Sequence, residues 1–364
     1  MTDRPRVDPY DFVPLGIAPV REKCVGHARY SKGRNIYSGL LLCTLTAMTP
    51  IFTYDPRFRR VNLGHETVNF PVFNRIAQIQ GSSLKGVIRS LIEAIEPCCV
   101  AVPAPFRKTY RGTGITRDKE PLTVYLPGEF EHCDGERLCL ACRMFGTLNK
   151  ATAYAYAGKV SIGDARSAPG DYQLLPHVTL DVLSPPKPEG RPNAYTGVDG
   201  KTIRGRKFYR HRYPPDVLKR MPDRTGKPRQ DHLNKTVQPI ETGSVFHFEV
   251  EYGDLNDAEL RLLLYGLVLE DGLWHKLGLG KPIGLGSARI EVIKWTRIDR
   301  QARYRALGAG VEPALEEEAL QAELSGWVQG YRTRESEALE KLRDILRPNE
   351  AVDVRYPVPA MPRS

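Results

Sequence analysis

The chain has 364 residues, and its content of 41% hydrophobic and 26% charged residues is that of a soluble globular protein. No apolar run is long enough to span a bilayer, and residues 1–14 lack the apolar segment of a secretory signal, so we expect a cytoplasmic protein with no membrane partner. The net charge of +10 favours polyanionic partners, and seven cysteines, an odd number, argue against a disulfide framework.

The first predicted core element follows an N-terminal arm. Residues 1–35 are rich in proline and charge, which predicts an irregular arm. In residues 39–48 apolar side chains occupy alternate positions, which predicts a strand that is buried on that side. Residues 49–73 are predicted to form a loop, and loops after core strands often carry function. The polar residues of this loop include Asp55, Arg57, Arg59, Arg60, His65, Glu66 and Asn69.

A helix with an anion site at its start is predicted next. Apolar residues recur at helical spacing from Leu84 onward, so residues 83–96 are expected to form an amphipathic helix. Ser82 and Ser83 suit the N-cap, and Lys85 and Arg89 lie four residues apart on one face. Free N–H groups at a helix start, with a lysine nearby, favour a phosphate. The alternative is an ordinary capped helix.

Residues 97–150 form a predicted insert that carries a C-x-x-C motif. Zinc prefers four soft or borderline ligands in a tetrahedron, and one C-x-x-C turn supplies two of them. Polar, loop-like flanks favour a structural zinc site over a redox pair, although a redox pair or plain buried thiols remain alternatives. The preferred zinc ligands are Cys99, Cys133, Cys139 and Cys142, with Cys98 or His132 as substitutes.

Most of the positive charge lies in residues 184–235. Fourteen Lys and Arg residues stand there against five Asp and Glu residues, a balance of +9. Aromatic side chains are interleaved with these cations and can stack on bases, so we expect nucleic-acid contact; the alternative is a solvated, flexible insert. The cations assigned to this contact are Arg204, Arg206, Lys207, Arg210 and Arg212.

Globular patterns return on both sides of this insert. Residues 158–164, 177–183 and 245–252 are predicted strands. Asn256 and Glu259 resemble a capping box that opens a helix to about residue 271. The glycine-rich loop 277–286 and a strand at 287–295 follow. Residues 300–346 are predicted to be helical, with one amphipathic helix near the end that packs on the core, and the tail after Arg347 is predicted to be loose.

The glycine-rich loop lies between a helix and a strand, the reverse of the order that a dinucleotide-binding motif requires. Its glycines, Gly278, Gly280 and Gly284, are expected to let the backbone approach an extended phosphate chain, with Lys281 as the cation. The alternative is a tight structural connector. The element order strand, helix, strand, strand, helix, strand resembles a ferredoxin-like β-α-β-β-α-β unit with large insertions.

Three motifs occur in order: GSSLKGVIRS at 81–90, CLACRMFG at 139–146 and GLGKPIGLG at 278–286. Together they resemble the RAMP superfamily of CRISPR-associated proteins, specifically backbone subunits of type III effector complexes. The resemblance covers residues 36–298 and implies an α+β, ferredoxin-like (RRM-related) core that contains the zinc insert and the basic insert. The N-terminal arm, 1–35, and a C-terminal extension, 299–364, flank this core.

The resemblance implies a subunit that binds CRISPR RNA, pairs it with target RNA and contacts other effector subunits. Insert 184–235 would correspond to the β-hairpin "thumb" that such subunits wedge between bases. Active members place a catalytic aspartate where this chain has Asn69, so a metal-dependent endoribonuclease that uses Mg²⁺ would need Asp55 or Glu66 instead. That endoribonuclease is the alternative function, and a zinc-stabilised RNA-binding protein outside CRISPR is a further one.

Overall fold

A computed structural model of the chain describes residues 5–24, 36–100, 126–133, 135–149, 154–180, 183, 196–197, 202–212 and 234–354. These residues form a mixed α+β structure, as predicted. Much of the 97–150 insert and most of the 184–235 insert lie outside the described residues. Among the described residues, none of the helices is both long and apolar enough to span a membrane.

The described residues contain twenty strands, many of them short. In chain order they are β1 (Arg6–Val7), β2 (Tyr10–Val13), β3 (Glu22–Lys23), β4 (Ile36–Ala47), β5 (Arg59–Asn62), β6 (His65–Val68), β7 (Val72–Phe73), β8 (Ile76–Ile79), β9 (Arg137–Leu138), β10 (Gly146–Asn149), β11 (Tyr154–Ala157), β12 (Val160–Ile162), β13 (Ala165–Arg166), β14 (Val178–Thr179), β15 (Arg206–Tyr209), β16 (Lys235–Val237), β17 (Val245–Asn256), β18 (His275–Lys276), β19 (Ser287–Arg297) and β20 (Asp353–Val354).

Six α-helices lie among the same residues. They are α1 (Gly81–Ile95), α2 (Leu140–Phe145), α3 (Asp257–Val268), α4 (Arg300–Arg305), α5 (Glu317–Arg332) and α6 (Glu337–Leu346). Three short 3-10 helices accompany them, namely η1 (Pro56–Phe58), η2 (Gly128–Phe130) and η3 (Lys281–Ile283).

An eight-stranded sheet forms the centre of the structure. Its strand order is β18-β19-β4-β17-β13-β8-β7, and β12 also pairs with β17. The long strand β4 lies between β17 and β19 and is antiparallel to both. Helix α1 follows β4 in the chain, and α3 connects β17 to β19. The four strands on either side of these two helices are, in chain order, β4, β12, β17 and β19. Across the sheet they lie in the order β19, β4, β17, β12, which is fourth, first, third, second.

Alternation in β4 and helical periodicity in α1 explain the core. Leu41, Cys43 and Leu45 are fully buried, which confirms the predicted face of β4. Leu84 and Ile88 are the buried face of α1, which packs against β12 and α3. At the α1–α3 contact, Gly266 leaves room for the Ile88 and Ile92 side chains. Helix α3 in turn packs against β4, β17 and β19.

Two predicted connections differ from the structure. Residues 49–73 were expected to be a loop, but they contain the antiparallel hairpin β5–β6. Residues 177–183 were expected to be a core strand, but only Val178–Thr179 is a strand, and it joins a second sheet of order β14-β16-β6-β5. The physical reason is the pairing of β16, at the end of the basic insert, which lies parallel to β6. β14 pairs with β16 and so joins this second sheet.

The described parts of the N-terminal arm and of the C-terminal tail form short strands that pair with other strands, instead of being irregular. β1 pairs in parallel with β20, so the described parts of the predicted arm and of the predicted loose tail hold each other. β2 pairs with β15, and β3 pairs with β9. Helix α6 packs its buried Leu339, Leu342, Ile345 and Leu346 against α1 and β2, which confirms the predicted amphipathic helix and its packing role.

The capping box at the start of α3 is confirmed and belongs to a buried charge network. The Asn256 side chain accepts from the Glu259 N–H at 2.9 Å, and the Glu259 carboxylate accepts from the Asn256 N–H at 3.2 Å. Lys159 donates to the same carboxylate at 2.8 Å, and the Arg143 Nε lies 3.3 Å from it. Both Lys159 and Glu259 side chains are almost wholly buried, so their charges compensate each other in a place that water does not reach.

We expect Glu259→Gln to destabilise the protein by about 3 kcal/mol, because glutamine keeps the cap but replaces the buried carboxylate that pairs with Lys159 and Arg143 by a neutral amide. Urea unfolding followed by circular dichroism measures the change. The matched control is Glu318→Gln in the first turn of α5, where an exposed side chain should cost less than about 0.5 kcal/mol. Equal losses for the two variants would contradict the role of the buried pair.

Candidate nucleic-acid interface and metal centre

A cleft of about 530 Å³ collects residues from five separate parts of the chain. Thr53 and Tyr54 come from the segment after β4, and the first turns of α1 supply one wall. Strand β15 and the glycine-rich loop supply the rest, with Leu346 from α6. The predicted residues Ser82, Ser83, Lys207, Gly278 and Lys281 all line it. Three distant segments that were predicted to contact phosphate thus meet at one place.

Among the described residues, three lysines and no carboxylate line the cleft. Burial lowers the pKa of Lys276 to about 7 and the pKa of Lys207 to about 8. Burial also lowers the pKa of Lys281, whose charge in turn disfavours that of Lys276. Among the described residues, neither Lys276 nor Lys281 forms an ion pair with an acidic group. Such a cluster gains free energy when an anion enters, because the anion relieves both desolvation and mutual repulsion.

A hydrogen-bond chain holds Lys276 at the cleft. The Lys276 ammonium donates to the Ser287 hydroxyl at 3.0 Å, and that hydroxyl lies 2.8 Å from His211 Nδ1. His211 Nε2 lies 3.0 Å from the Trp274 carbonyl, which can only accept, so Nε2 carries the proton and Nδ1 accepts from Ser287. Burial lowers the pKa of His211 well below its ordinary value, which agrees with a neutral ring.

Aromatic rings accompany the other two lysines. The Lys207 Nζ lies 3.7 Å from the ring centroid of Tyr10 and 5.1 Å from that of Tyr209. The Lys281 Nζ lies 5.4 Å from the Tyr209 centroid. Ring faces attract cations without neutralising them, so these contacts position the ammonium groups and preserve their charge for a ligand.

Four buried cysteines form a second cluster. The ligand atoms of Cys99, Cys133, Cys139 and Cys142 all lie within 4.8 Å of one another. The Cys99 sulfur lies 3.5 Å from that of Cys142 and 3.6 Å from that of Cys139. Hydrogen bonds from the neighbouring thiols, Cys133 first, hold the pKa of Cys139 well below its usual range. This is the predicted ligand set, and four thiols at these separations can hold a metal ion.

The surroundings of the four sulfurs fit a metal bound as thiolates. Arg89 donates to the Cys142 sulfur at 3.4 Å. Burial alone would lower the pKa of Arg21, but the neighbouring Cys133 raises it overall, which places a second cation at the cluster. Four thiolates around a divalent ion carry two net negative charges, and two arginines balance them. Of the two substitutes, Cys98 does not belong to this set of four, although its thiol contacts that of Cys139, and His132 Nε2 lies 3.1 Å from the Thr147 hydroxyl.

Comparison with known proteins gives the family. The sequence model of the RAMP superfamily matches residues 44–289, more than half of the chain. The chain belongs to the RAMP superfamily. No curated protein matches it. Among solved structures, the crystal structure of Thermofilum pendens Csc2 is similar at 14% sequence identity and a TM-score of 0.36, over 88% of this chain and 84% of that one.

The RAMP match contains α1, whose start differs from the prediction. Gln80 is the N-cap residue, it makes no side-chain cap, and Ser82 and Ser83 lie inside the first turn. The Gly81 N–H donates to the Asp164 carboxylate at 2.8 Å, so the protein itself supplies an anion at this end of the helix. The Ser82 and Ser83 cap is therefore wrong, although both residues still line the cleft.

The glycine-rich loop of this RAMP protein approaches its own chain. Gly278 has a φ of +78°, and a Cβ there would lie 2.2 Å from the Phe52 carbonyl oxygen. A Cβ at Gly280 would lie 2.4 Å from the Leu285 side chain. Gly280 and Gly284 adopt left-handed conformations on either side of η3, which carries Lys281 into the cleft. These glycines thus act as the tight connector, and the lysine between them is what reaches the site.

Several predicted RNA contacts of the RAMP core are occupied by protein. Arg89 donates to Glu93 at 2.7 Å and to the Gly146 carbonyl at 2.9 Å, besides its contact with Cys142. Lys85 is half-buried beside it, and burial lowers its pKa. Neither side chain lines the cleft. Arg89 therefore connects α1 to the cysteine cluster, a role that its position on a helix face did not reveal.

The described part of the basic insert is docked on the core. Arg206 donates to the carbonyls of Cys98 and Cys99, at 2.7 and 2.9 Å. Arg210 pairs with Asp11 and Asp344, and Arg204 lies over the Phe12 ring. Arg212 is half-buried next to His211. Of the five predicted cations, Lys207 lines the cleft. Two of the aromatic residues interleaved with these cations, Tyr195 and Tyr213, lie outside the described residues.

The two candidate carboxylates each have cationic partners. Asp55 is buried and accepts from the Arg57 backbone and guanidinium and from Gln80, and hydrogen bonding by Arg57 lowers its pKa. Glu66 pairs with Lys235, which lowers its pKa, and with Arg59. Among the described residues, the cysteine cluster is the one group of three or more metal-ligating side chains, and neither carboxylate belongs to it. The Asn69 Oδ1 accepts from His177 Nε2 at 2.8 Å.

The sequence analysis did not predict the hydrogen-bonded chain of Lys276, Ser287 and His211 at the cleft. Each of these residues lies at the edge of a motif that the sequence did identify. Lys276 comes two residues before Gly278, so a cation search around the glycine-rich loop would have found it. The C-x-x-C flanks are also different: β9 precedes Cys139 and α2 follows it, so they are not loop-like.

Proposed function

We propose that this chain is an RNA-binding backbone subunit of a type III CRISPR effector complex, which holds CRISPR RNA and pairs it with target RNA. Membership of the RAMP superfamily supports the CRISPR assignment. The cleft, whose described lining has three lysines and no carboxylate, supports binding of an RNA phosphate, and it is the observation that carries the proposal. The other partners would be the remaining subunits of the complex.

We infer a ferredoxin-like core from the strand order. The four core strands lie across the sheet in the order fourth, first, third, second, and each is antiparallel to its neighbours. This is the order of a β-α-β-β-α-β unit, and two helices connect the strands as that unit requires. The core would span residues 36–298, between the arm 1–35 and the extension 299–364. We also propose that the basic insert 184–235, in its part beyond the docked strand β15, forms a projection that wedges between bases.

We propose Zn²⁺ as the metal of the cysteine cluster, with a structural role. Four sulfur ligands from closely spaced side chains suit a closed tetrahedral site, and the two arginines beside it suit the charge of a zinc tetrathiolate. Four converging cysteines also favour a metal over a redox pair, which needs two. We assign no cleavage role to Asp55 or Glu66, because each carboxylate is engaged by an arginine or a lysine.

Purification with the products of neighbouring genes, followed by sequencing of bound RNA, tests the proposal. A uniform small RNA with repeat-derived ends is the expected result. Heterogeneous RNA would favour a zinc-stabilised RNA-binding protein outside CRISPR, and absence of RNA would overturn RNA binding by this subunit. The same preparation, incubated with complementary RNA and Mg²⁺, shows whether target RNA stays intact, as we expect.

A further inference from the structure

The cleft offers more positive charge than one internal phosphate of an RNA chain requires. Lys207, Lys276 and Lys281 converge on it, and its lining, in the part of the chain that the structure describes, contains no acidic residue. An internal phosphodiester carries one negative charge, whereas a terminal phosphomonoester carries nearly two at neutral pH. In a partly dry site this second charge interacts strongly with the extra cations, because water screens them poorly.

The size and walls of the cleft suit one nucleotide. Its volume of about 530 Å³ lies in the range of sites that hold a single small ligand, about 300–1,000 Å³. Apolar and aromatic side chains, among them Phe208, Leu279 and Leu346, line it beside the lysines. A base and ribose can pack on these walls while the phosphate reaches the ammonium groups.

Lys276 is the most deeply buried of the three lysines. It is 8% exposed, and Ser287 takes one of its three N–H donors. The groups that face it are Lys281 and the buried His211 and His275, and burial keeps the pKa of both histidines low, so their rings are neutral and add no charge. A chain that continued past the Lys276 ammonium would meet Ser287, which is wholly buried.

We infer that the cleft captures the phosphorylated end of an RNA, a terminal phosphomonoester with its nucleotide, in preference to an internal phosphodiester. This inference rests on the proposed function and specifies the part of the RNA that enters the site. Ser82 and Ser83 add hydroxyl groups at the rim, and the Lys207 ammonium completes the set of cations.

Binding of such a phosphate should be coupled to protons. Lys276 has a pKa of about 7, so above pH 7 the anion must recruit a proton to this lysine, and affinity falls. Below about pH 6 the phosphomonoester loses its second charge, and the preference for it also falls. The preference for a phosphorylated end should therefore be greatest between about pH 6 and pH 7.

Fluorescence anisotropy with short single-stranded RNAs of one sequence tests the inference. Three forms are compared on the wild-type chain: hydroxyl groups at both ends, a 5′-phosphate, and a 3′-phosphate. We expect one phosphorylated form to bind about 10–100-fold more tightly than the hydroxyl form near pH 6.5, and this advantage to shrink by pH 8. A nucleoside monophosphate is added as competitor and should bind more weakly than the phosphorylated RNA.

Lys276→Met should remove most of the difference in affinity between the phosphorylated and the hydroxyl RNA. Lys294→Met, at an exposed surface lysine, should keep that difference. The wild-type comparison remains decisive if the first variant does not fold. Equal binding of all three RNAs would overturn end capture and leave RNA binding intact. A nucleoside monophosphate that binds as tightly as the phosphorylated RNA would also overturn it, and failure of every RNA to bind would overturn the proposed function itself.

Discussion

Replacing both Lys207 and Lys281 with methionine is expected to weaken RNA binding about 100-fold or more at physiological salt. Each lysine would lose a charge-assisted contact with phosphate, and each such contact contributes about 1.5–3 kcal/mol. Methionine retains the length of the side chain, so the packing of both residues near Tyr209 is disturbed little. The double variant should also lower the slope of log affinity against log salt by about two.

The matched control for this pair is Lys23→Met with Lys294→Met. Both lysines are exposed and belong to surface ion pairs, with Glu136 and Glu316. This control changes the net charge by the same amount but leaves the cleft intact. Affinities and salt slopes come from anisotropy titrations over a salt series. If the two double variants lose affinity equally, the binding follows overall charge and the cleft is not the site.

Cys139→Ser is expected to remove bound zinc and to lower the melting temperature by about 5 °C or more. Structural zinc contributes a large share of the stability of the segment that binds it, and loss of one thiolate opens the tetrahedron. RNA affinity should fall as well, because Arg206 bonds to the carbonyls of Cys98 and Cys99, and the next residue, Lys207, lines the cleft. The cluster thus supports one wall of the cleft.

Elemental analysis of the purified protein and thermal unfolding with and without a chelator measure this effect. Cys43→Ala is the matched control, because Cys43 is buried in β4 outside the cluster. That variant should lose some stability but keep about one zinc per chain. Wild-type protein without zinc, or a Cys139→Ser protein with unchanged melting and RNA affinity, would contradict the structural role of the cluster.

The local elements were predictable because their patterns record which face is buried. Alternation in residues 39–48 predicted β4, and helical spacing predicted α1 and α6. The capping box at Asn256 and Glu259 was also predictable, since both partners lie within one turn. The chemistry of thiols and their spacing gave the preferred set of four cysteines, with Cys98 and His132 left open as substitutes, and the structure brings those four together.

Partners that are distant in the chain were not predictable from these patterns. Asp164 takes the Gly81 N–H, and Gly146 and Cys142 accept from Arg89, because β12 and α2 pack against α1 in three dimensions. A one-dimensional pattern predicts that a cation lies on a helix face, but it does not predict whether solvent or another segment covers that face. For this reason Arg89 was predicted to bind RNA and instead bonds to protein.

Patterns in the sequence were enough to locate the long strands and the helices of the core and the four cysteines that cluster, and the excess of Lys and Arg predicted an anionic ligand. Which cations converge on one cleft depended on contacts between distant segments. Arg206 and Arg210 are bound by carbonyls and carboxylates, whereas Lys207, Lys276 and Lys281 meet in a cleft whose described lining has no acidic residue. The physical reason is that charge compensation depends on distances across the fold, which the register of the sheets and the packing of α1 and α6 set.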